Sequence, residues 1–378
     1  MNMKIPGGLA YATRLVRGGK LTEATDAIQR ALRGLTGAAE AEATETDVIE
    51  GTCHVVVEPA VQPRARADLD IAPRAPAAPA REHGEFIARS YSNAAGTRDY
   101  KVYVPATYDG QALPLVVMLH GCKQNPDDFA AGTRMNELAE ANGFLVVYPE
   151  QTGKANGANC WNWFETRHQK REGGEPSLIA GITREVVAAY GLDSRRVYVA
   201  GLSAGGAMAA VMGTTYPDLY AALGIHSGLP YQAARDMASA FAAMRGDRST
   251  PVKRKSRRDA PGRGVPTIVF HGDKDTTVHP SNADELIVHA AAASMEAKAR
   301  DNAYAEHVTS VEHGDVAGRA YTRTTHRDSA GKSVLEQWLV HGAAHAWSGG
   351  SADGSFTDPK GPDASREMLR FFLEHQNP

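Results

Sequence analysis

Five residues, Gly201-Leu202-Ser203-Ala204-Gly205, join an apolar strand-like run, RRVYVA, directly to a helix-like run of small residues, GAMAAVM. A strand that turns into a helix without an intervening loop crowds its own backbone, and a Cβ on either flank of the serine would clash there. The serine is thereby held in a strained conformation with its hydroxyl lifted above the sheet at a helix N-terminus. This context requires a parallel strand that feeds a helix, and it marks Ser203 as a candidate nucleophile.

The same alternation recurs along the chain. Strand-like runs stand at RDYKVYVP, LPLVVMLHG, GFLVVYPE, AALGIHSG and PTIVFHG, several of them continuous apolar runs of the kind buried on both faces. Helical stretches separate most of them: DDFAAGTRMNELAEANG, SLIAGITREVVAAYG and GGAMAAVMGTTYP. Alternating β and α units predict a mostly parallel central sheet with helices on both faces, an α/β class. AGRAYTRTTHRD and SVLEQWLVHG, joined by SAGK, predict an antiparallel hairpin at the sheet edge. SREMLRFFLEH predicts a closing amphipathic helix.

Three segments precede or interrupt this pattern. Residues 1–36 read as a helical hairpin, with Leu9, Ala12 and Val16 on one face and Ala24, Ile28 and Leu32 on another, broken at Gly18-Gly19. A docking appendage is the plainer reading; Arg14, Arg17 and Lys20 beside the apolar face would also suit attachment to an apolar surface. Residues 37–84, rich in Ala, Pro, Glu and Arg, read as a linker, which leaves 85–378 as the catalytic domain. The basic run Lys253–Arg258 has no aromatic or fold motif beside it and reads as a solvated loop.

A net charge of −3 over 378 residues gives no overall bias toward nucleic acid. No stretch approaches the roughly 20 apolar residues that span a bilayer. The N-terminus lacks an unbroken apolar run and a small-residue cleavage site, so a cytoplasmic protein is expected. The three cysteines, Cys53, Cys122 and Cys160, are too few for a disulfide scaffold and do not stand at metal-ligand spacing. If one pair is oxidised, Cys122 with Cys160 is preferred because both fall near the presumed site.

A serine hydroxyl needs a base, and in a fold of the α/β-hydrolase type the order is nucleophile, acid, histidine. Among 14 histidines, His345 in HGAAHAWSGG lies after the last strand and before the final helix, where that base belongs. His341 reads as a strand-end residue, and most other histidines as surface or supporting groups. PTIVFHGDKDTTV offers Asp273 and Asp275 as the acid. Asp275 is preferred because it lies further into the loop, while Asp273 after the glycine reads as a turn-former; the reverse assignment is the alternative. Two backbone N–H groups, of Ala204 and Cys122, are placed to receive the oxyanion.

Taken together, LHGCKQN, NCWNWFE, GLSAGG, HGDKDTTV and HAWSGG, in that order, resemble the catalytic domain of the poly(3-hydroxybutyrate) depolymerase family over roughly residues 85–375. The resemblance implies Ser203, Asp275 and His345 as a triad, Cys122 as an oxyanion donor, and the WNWF stretch near substrate. Trp161 and Trp347 are candidate substrate residues, with core packing as the alternative for each. The absence of a recognisable signal and of a C-terminal binding module is similar to the intracellular branch, whose members act on amorphous storage polymer.

The expected activity is hydrolysis of a short-chain polyhydroxyalkanoate through an acyl-enzyme, with a polyester or small ester as partner and no cofactor or metal. Feruloyl or acetylxylan ester hydrolysis is the second enzyme reading. A third, from another class, is a granule-surface binder that adheres through its N-terminal hairpin.

Overall fold

The computed structural model describes residues 83–247, 264–300 and 308–378, all within the unit Ala72–Pro378. The hairpin expected over 1–36, nearly all of the linker and the basic run 253–258 lie outside the described residues.

The centre is a ten-stranded sheet. Its parallel heart consists of β3 (Leu115–Leu119), β4 (Leu145–Pro149), β5 (Val197–Leu202), β6 (Ala222–His226), β7 (Thr267–Gly272) and β10 (Ser333–Val340). Antiparallel strands flank it: β1 (Glu85–Asn93) and β2 (Gly96–Val104) on one side, β8 (Val308–Val316) and β9 (Arg319–Arg327) on the other. The order is β1-β2-β4-β3-β5-β6-β7-β10-β9-β8. A two-stranded pair, β11 (Trp347–Ser348) and β12 (Thr357–Asp358), lies apart from this sheet.

Successive residues of a strand face opposite sides, and both sides of the central strands are apolar. Val117, Leu119, Val147, Val199, Ile225 and Val269 face one cluster with α3 (Gly174–Ala189) and α4 (Ala204–Thr215), through Ile179, Met208 and Val211. Val116, Met118, Val146, Ala200, Ile268 and Phe270 face the other. There they meet α1 (Pro126–Thr133), α2 (Met135–Asn142) and the closing helix α7 (Ala364–Leu373), through Phe129, Met135, Phe371 and Phe372. The shorter α5 (Met237–Met244) and the long α6 (Ser281–Arg300) flank β7 in the chain.

The predicted mostly parallel sheet with helices on both faces is present. Three local expectations differ. The β9–β10 hairpin forms, but β10 pairs in parallel with β7 and the outer edge is β8, beyond β9. β1 at the opposite edge was absent from the expected strands. DDFAAGTRMNELAEANG, read as one helix, is two, because Arg134 adopts a left-handed conformation (φ 52°, ψ 27°) that caps α1 and turns the chain into α2. Among the described residues no helix is long and apolar enough to cross a membrane.

Candidate active site

The elbow is built from backbone contacts. Ser203 sits at φ 58°, ψ −118°, between β5 and α4, and donates its N–H to the carbonyl of His226 at 2.9 Å. A Cβ on Gly205 would stand 1.9 Å from the Leu119 carbonyl oxygen, and one on Gly201 would stand 2.4 Å from the Gly205 carbonyl carbon. Neither position has room for a side chain, since the opposing atoms are backbone and cannot rotate away.

The loop after β3 lies against this turn. A Cβ on Gly121 would lie 3.6 Å from the Ser203 Cβ. Cys122 is disulfide-bonded to Cys160, with 4.2 Å between their Cα atoms, which is the pairing preferred from the sequence. Lys123 N–H donates to the Ala158 carbonyl at 2.7 Å, so two adjacent residues tie the two loops together. Gly121 N–H donates to Gln124 Oε1 at 2.9 Å, and Gln124 Nε2 donates onward to Asp128 Oδ2 at 2.8 Å and to the Ser355 carbonyl at 3.0 Å. No acceptor among the described residues takes the Cys122 N–H. Ala204, the first residue of α4, has an N–H that helix geometry leaves without an intrahelical acceptor.

Beyond β7 the chain supplies two carboxylates, and beyond β10 two histidines, paired in order. Asp273, partly exposed, accepts Gly342 N–H at 2.7 Å on Oδ1 and faces His341 Nδ1 at 3.1 Å with Oδ2. Asp275 is only 4% exposed; its Oδ2 meets His345 Nδ1 at 2.6 Å and its Oδ1 accepts Thr277 N–H and Val278 N–H at 2.9 and 2.8 Å. His271 Nε2 lies 3.3 Å from the same Oδ2. Burial alone would raise the Asp275 carboxyl, but the hydrogen bonds from His271 and His345, with the backbone donors, outweigh it and hold the group well below the usual carboxylate range. Nδ1 of His345 is therefore occupied and Nε2 is the nitrogen left to act as base. The Ser203 hydroxyl itself makes no hydrogen bond among the described residues; the structure brings His345 to Asp275 and the Gly121 loop to Ser203, and leaves the hydroxyl–imidazole contact unmade.

Trp161 and Trp347, expected as candidate substrate residues, are core residues here, 0% and 1% exposed. Trp347 packs edge-on against Phe129, stacks on His226 with centroids 5.1 Å apart, and donates Nε1–H to Ser365 Oγ at 3.0 Å. Trp161 packs on the ring of His120. Neither residue is exposed to solvent, which favours core packing, the alternative stated for each, over contact with substrate.

Two features escaped the sequence reading. The first is Glu175, fully buried near the N-terminus of α3, where the helix dipole favours a carboxylate. It accepts from Gln151 Nε2 at 2.6 Å and from Asn162 N and Nδ2, each at 2.7 Å, with Arg98 3.5 Å away. Glu175 thus holds the loop that carries Cys160 and Trp161. Glu175→Ala should destabilise the fold by about 3–5 kcal/mol, because Arg98 is left buried and unpaired; a urea midpoint equal to that of the parent would refute this.

The second is a row of buried histidines at strand ends: His120 after β3, His226 ending β6 and His271 within β7. Three apolar runs that end in His-Gly or His-Ser-Gly were the available signal. Burial pushes His120 down to about 4, and burial pushes His375, beyond α7, down to about 4 as well. Burial, aided by His271 and His345, takes His226 to about 3. An unfolded histidine titrates near 6.5, roughly its unperturbed value. Below that pH the unfolded chain binds protons the native state refuses, so stability is whole above about 6.5 and drains away as pH falls toward about 4. Denaturant midpoints should be flat from about pH 7 to 8 and drop steadily below that; a midpoint unchanged down to pH 4 would count against it.

The sequence matches the family described as Esterase PHB depolymerase over residues 98–298. Poly(3-hydroxyalkanoate) depolymerase C of Paucimonas lemoignei is 37% identical over 191 residues, covering 49% of this chain and 46% of that protein. Feruloyl esterase B of Neurospora crassa is 32% identical over 208 residues, covering 52% and 70% respectively. The matched stretch thus spans less than half of the depolymerase. An acetyl xylan esterase from Aspergillus awamori superposes with a TM-score of 0.57 at 20% identity, over 76% of this chain and 99% of that one, and shares the fold. With the family match covering more than half of its length, the chain belongs to the Esterase PHB depolymerase family, and its fold is that of the α/β hydrolases.

Proposed function

We propose that the protein is a serine carboxylic ester hydrolase that cleaves poly(3-hydroxybutyrate) or a related short-chain polyhydroxyalkanoate. Ser203 attacks the ester carbonyl while His345 Nε2 takes its proton; Asp275 fixes the imidazole tautomer and balances the imidazolium. The oxyanion is received by the N–H groups of Cys122 and Ala204. His345 then returns the proton to the leaving alkoxide, and water, activated by the same imidazole, releases the acyl group from Ser203. The observation that carries the reading is the 2.6 Å bond from His345 to a buried Asp275, in a chain whose Ser203 has elbow geometry.

The substrate class is supported by the depolymerase likeness. A soluble-ester substrate is the second reading, favoured by the feruloyl esterase likeness, which covers the larger share of its relative. Release of 3-hydroxybutyrate from amorphous polyhydroxybutyrate granules, with p-nitrophenyl butyrate as parallel substrate and diethyl p-nitrophenyl phosphate as inhibitor, separates them. Inhibitor-sensitive release supports depolymerisation. Hydrolysis of the small ester alone moves the assignment to soluble esters, and hydrolysis of neither removes the enzyme reading.

The division into an appendage at 1–36, a linker at 37–84 and a catalytic domain at 85–378 belongs to this proposal, with the appendage as the granule-facing part. A chain starting near residue 85 should keep small-ester hydrolysis and lose granule association. The compartment is a separate matter: the Cys122–Cys160 bond suits an oxidising one, against the cytoplasm expected from the sequence. Mass spectrometry after alkylation of freshly extracted protein would find both thiols blocked in the first case and labelled in the second.

A further inference from the structure

His226 touches both halves of the candidate site while belonging to neither. It ends β6, is 1% exposed, and its carbonyl accepts the N–H of Ser203 at 2.9 Å. Its ring reaches the other way, where Nε2 accepts the N–H of Ser348 at 3.0 Å, three residues past His345. Because Nε2 is the acceptor, the proton sits on Nδ1, which faces Ser227 Oγ at 3.2 Å. The ring stacks on Phe270, with centroids 5.8 Å apart and planes 14° apart, and on Trp347, at 5.1 Å and 25°.

The segment beyond His345 is fastened on its far side by separate bonds. Trp347 N–H donates to the Phe356 carbonyl at 2.7 Å and Ser348 Oγ donates to the Pro362 carbonyl at 2.7 Å. His345 is further held by Asp275, and Ala343 by Lys274 N–H; the Ser348–His226 bond adds a direct tie from this segment to the residue whose carbonyl holds the elbow.

We infer that His226 is a positioning residue for the proposed ester hydrolysis, one that helps set the separation of Ser203 and His345 by holding the elbow with its carbonyl and the base segment with its neutral ring. The inference rests on the assignment of Ser203 and His345 made above. A phenylalanine here would stack but not accept, and a glutamine would accept but not stack, so histidine is the side chain that does both. The charged and titratable groups that act on it are His271 and Asp275, from β7 and the loop after it, and His345. Burial, with His271 and His345, keeps the ring unprotonated, and Asp275 opposes them without prevailing.

The test is the rate at which diethyl p-nitrophenyl phosphate modifies Ser203, located by peptide mass spectrometry, together with kcat and KM for p-nitrophenyl butyrate. His226→Phe is expected to slow both modification and kcat by about 10²-fold with KM little changed, the cost of a small misplacement of reacting groups. His226→Gln, whose amide oxygen reaches the place of Nε2, should recover most of that loss. Equal rates in the parent and the Phe variant, or a Gln variant as slow as the Phe variant, overturn the inference. If the Phe variant does not fold, His226→Asn, whose acceptor falls short of Ser348, takes its place and should be the slow member of the pair. Failure of the parent to be modified at Ser203 would instead strike the proposed function.

Discussion

Ser203→Ala should lower hydrolysis of p-nitrophenyl butyrate by about 10⁶-fold, the scale seen when a triad nucleophile is removed, while leaving the unfolding transition nearly where it was. The first half follows from covalent catalysis: without the hydroxyl no acyl-enzyme forms, and only oxyanion stabilisation and binding remain. The second half follows from the geometry. The hydroxyl makes no hydrogen bond among the described residues, so alanine leaves no partner unsatisfied, and both side chains carry a Cβ at the same φ of 58°. A variant that unfolds would mean that the elbow depends on the hydroxyl; a variant that still turns over would place the nucleophile elsewhere.

Asp275→Asn should cost about 10⁴-fold in kcat, the loss that accompanies a wrongly held imidazole. Asp275 receives three hydrogen bonds on its two oxygens, from His345, Thr277 and Val278, with His271 Nε2, which bonds the Val278 carbonyl, 3.3 Å away. An asparagine has one acceptor oxygen and must turn its amide N–H groups toward one of those donors. If the oxygen stays with the backbone amides, the amide nitrogen faces His345 and favours the tautomer in which Nδ1 is bare and Nε2 carries the proton, so the base is lost. Asp273→Asn, in contrast, disturbs only His341 and Gly342 on a partly exposed rim and should change kcat by no more than a few fold. The reverse ranking of the two variants would transfer the acid to Asp273.

The centre of the sheet was legible because strands buried on both faces carry near-continuous apolar runs, as VYVAGL and the IVF of TIVFHG do. The edge strands β1 and β8 were not, because EFIARSYSN and VTSVEHGDV face solvent over much of their length and carry no continuous apolar run. The break at Arg134 was missed because the residue that takes the left-handed conformation is an arginine, while the nearby Gly132 lies inside α1 and not at the turn. Within the site, Ser203 and His345 follow from chain order and motif, whereas the work of Glu175, His226 and His271 depends on which loops meet above the sheet. A buried acid at a helix start reads, in one dimension, like an ordinary helix-capping carboxylate. The two tryptophans show the converse: a large ring beside a catalytic motif suggests contact with substrate, but size alone also suits it to the layer beneath.

The contact between the Gly205 position and the Leu119 carbonyl bears on how such a protein can change over generations. Where main chain presses on main chain, no accommodating rotamer exists, and drift at Gly201 or Gly205 meets a wall whatever the substrate. The loops around residues 151–169 and 227–236 are joined by side-chain bonds, such as Gln169 to the Ala234 carbonyl and the Tyr231 hydroxyl to the Gln169 carbonyl. Bonds of that kind can be exchanged one substitution at a time. Laboratory selection for a new ester should therefore accumulate its changes in those loops while the five residues of the elbow stay fixed.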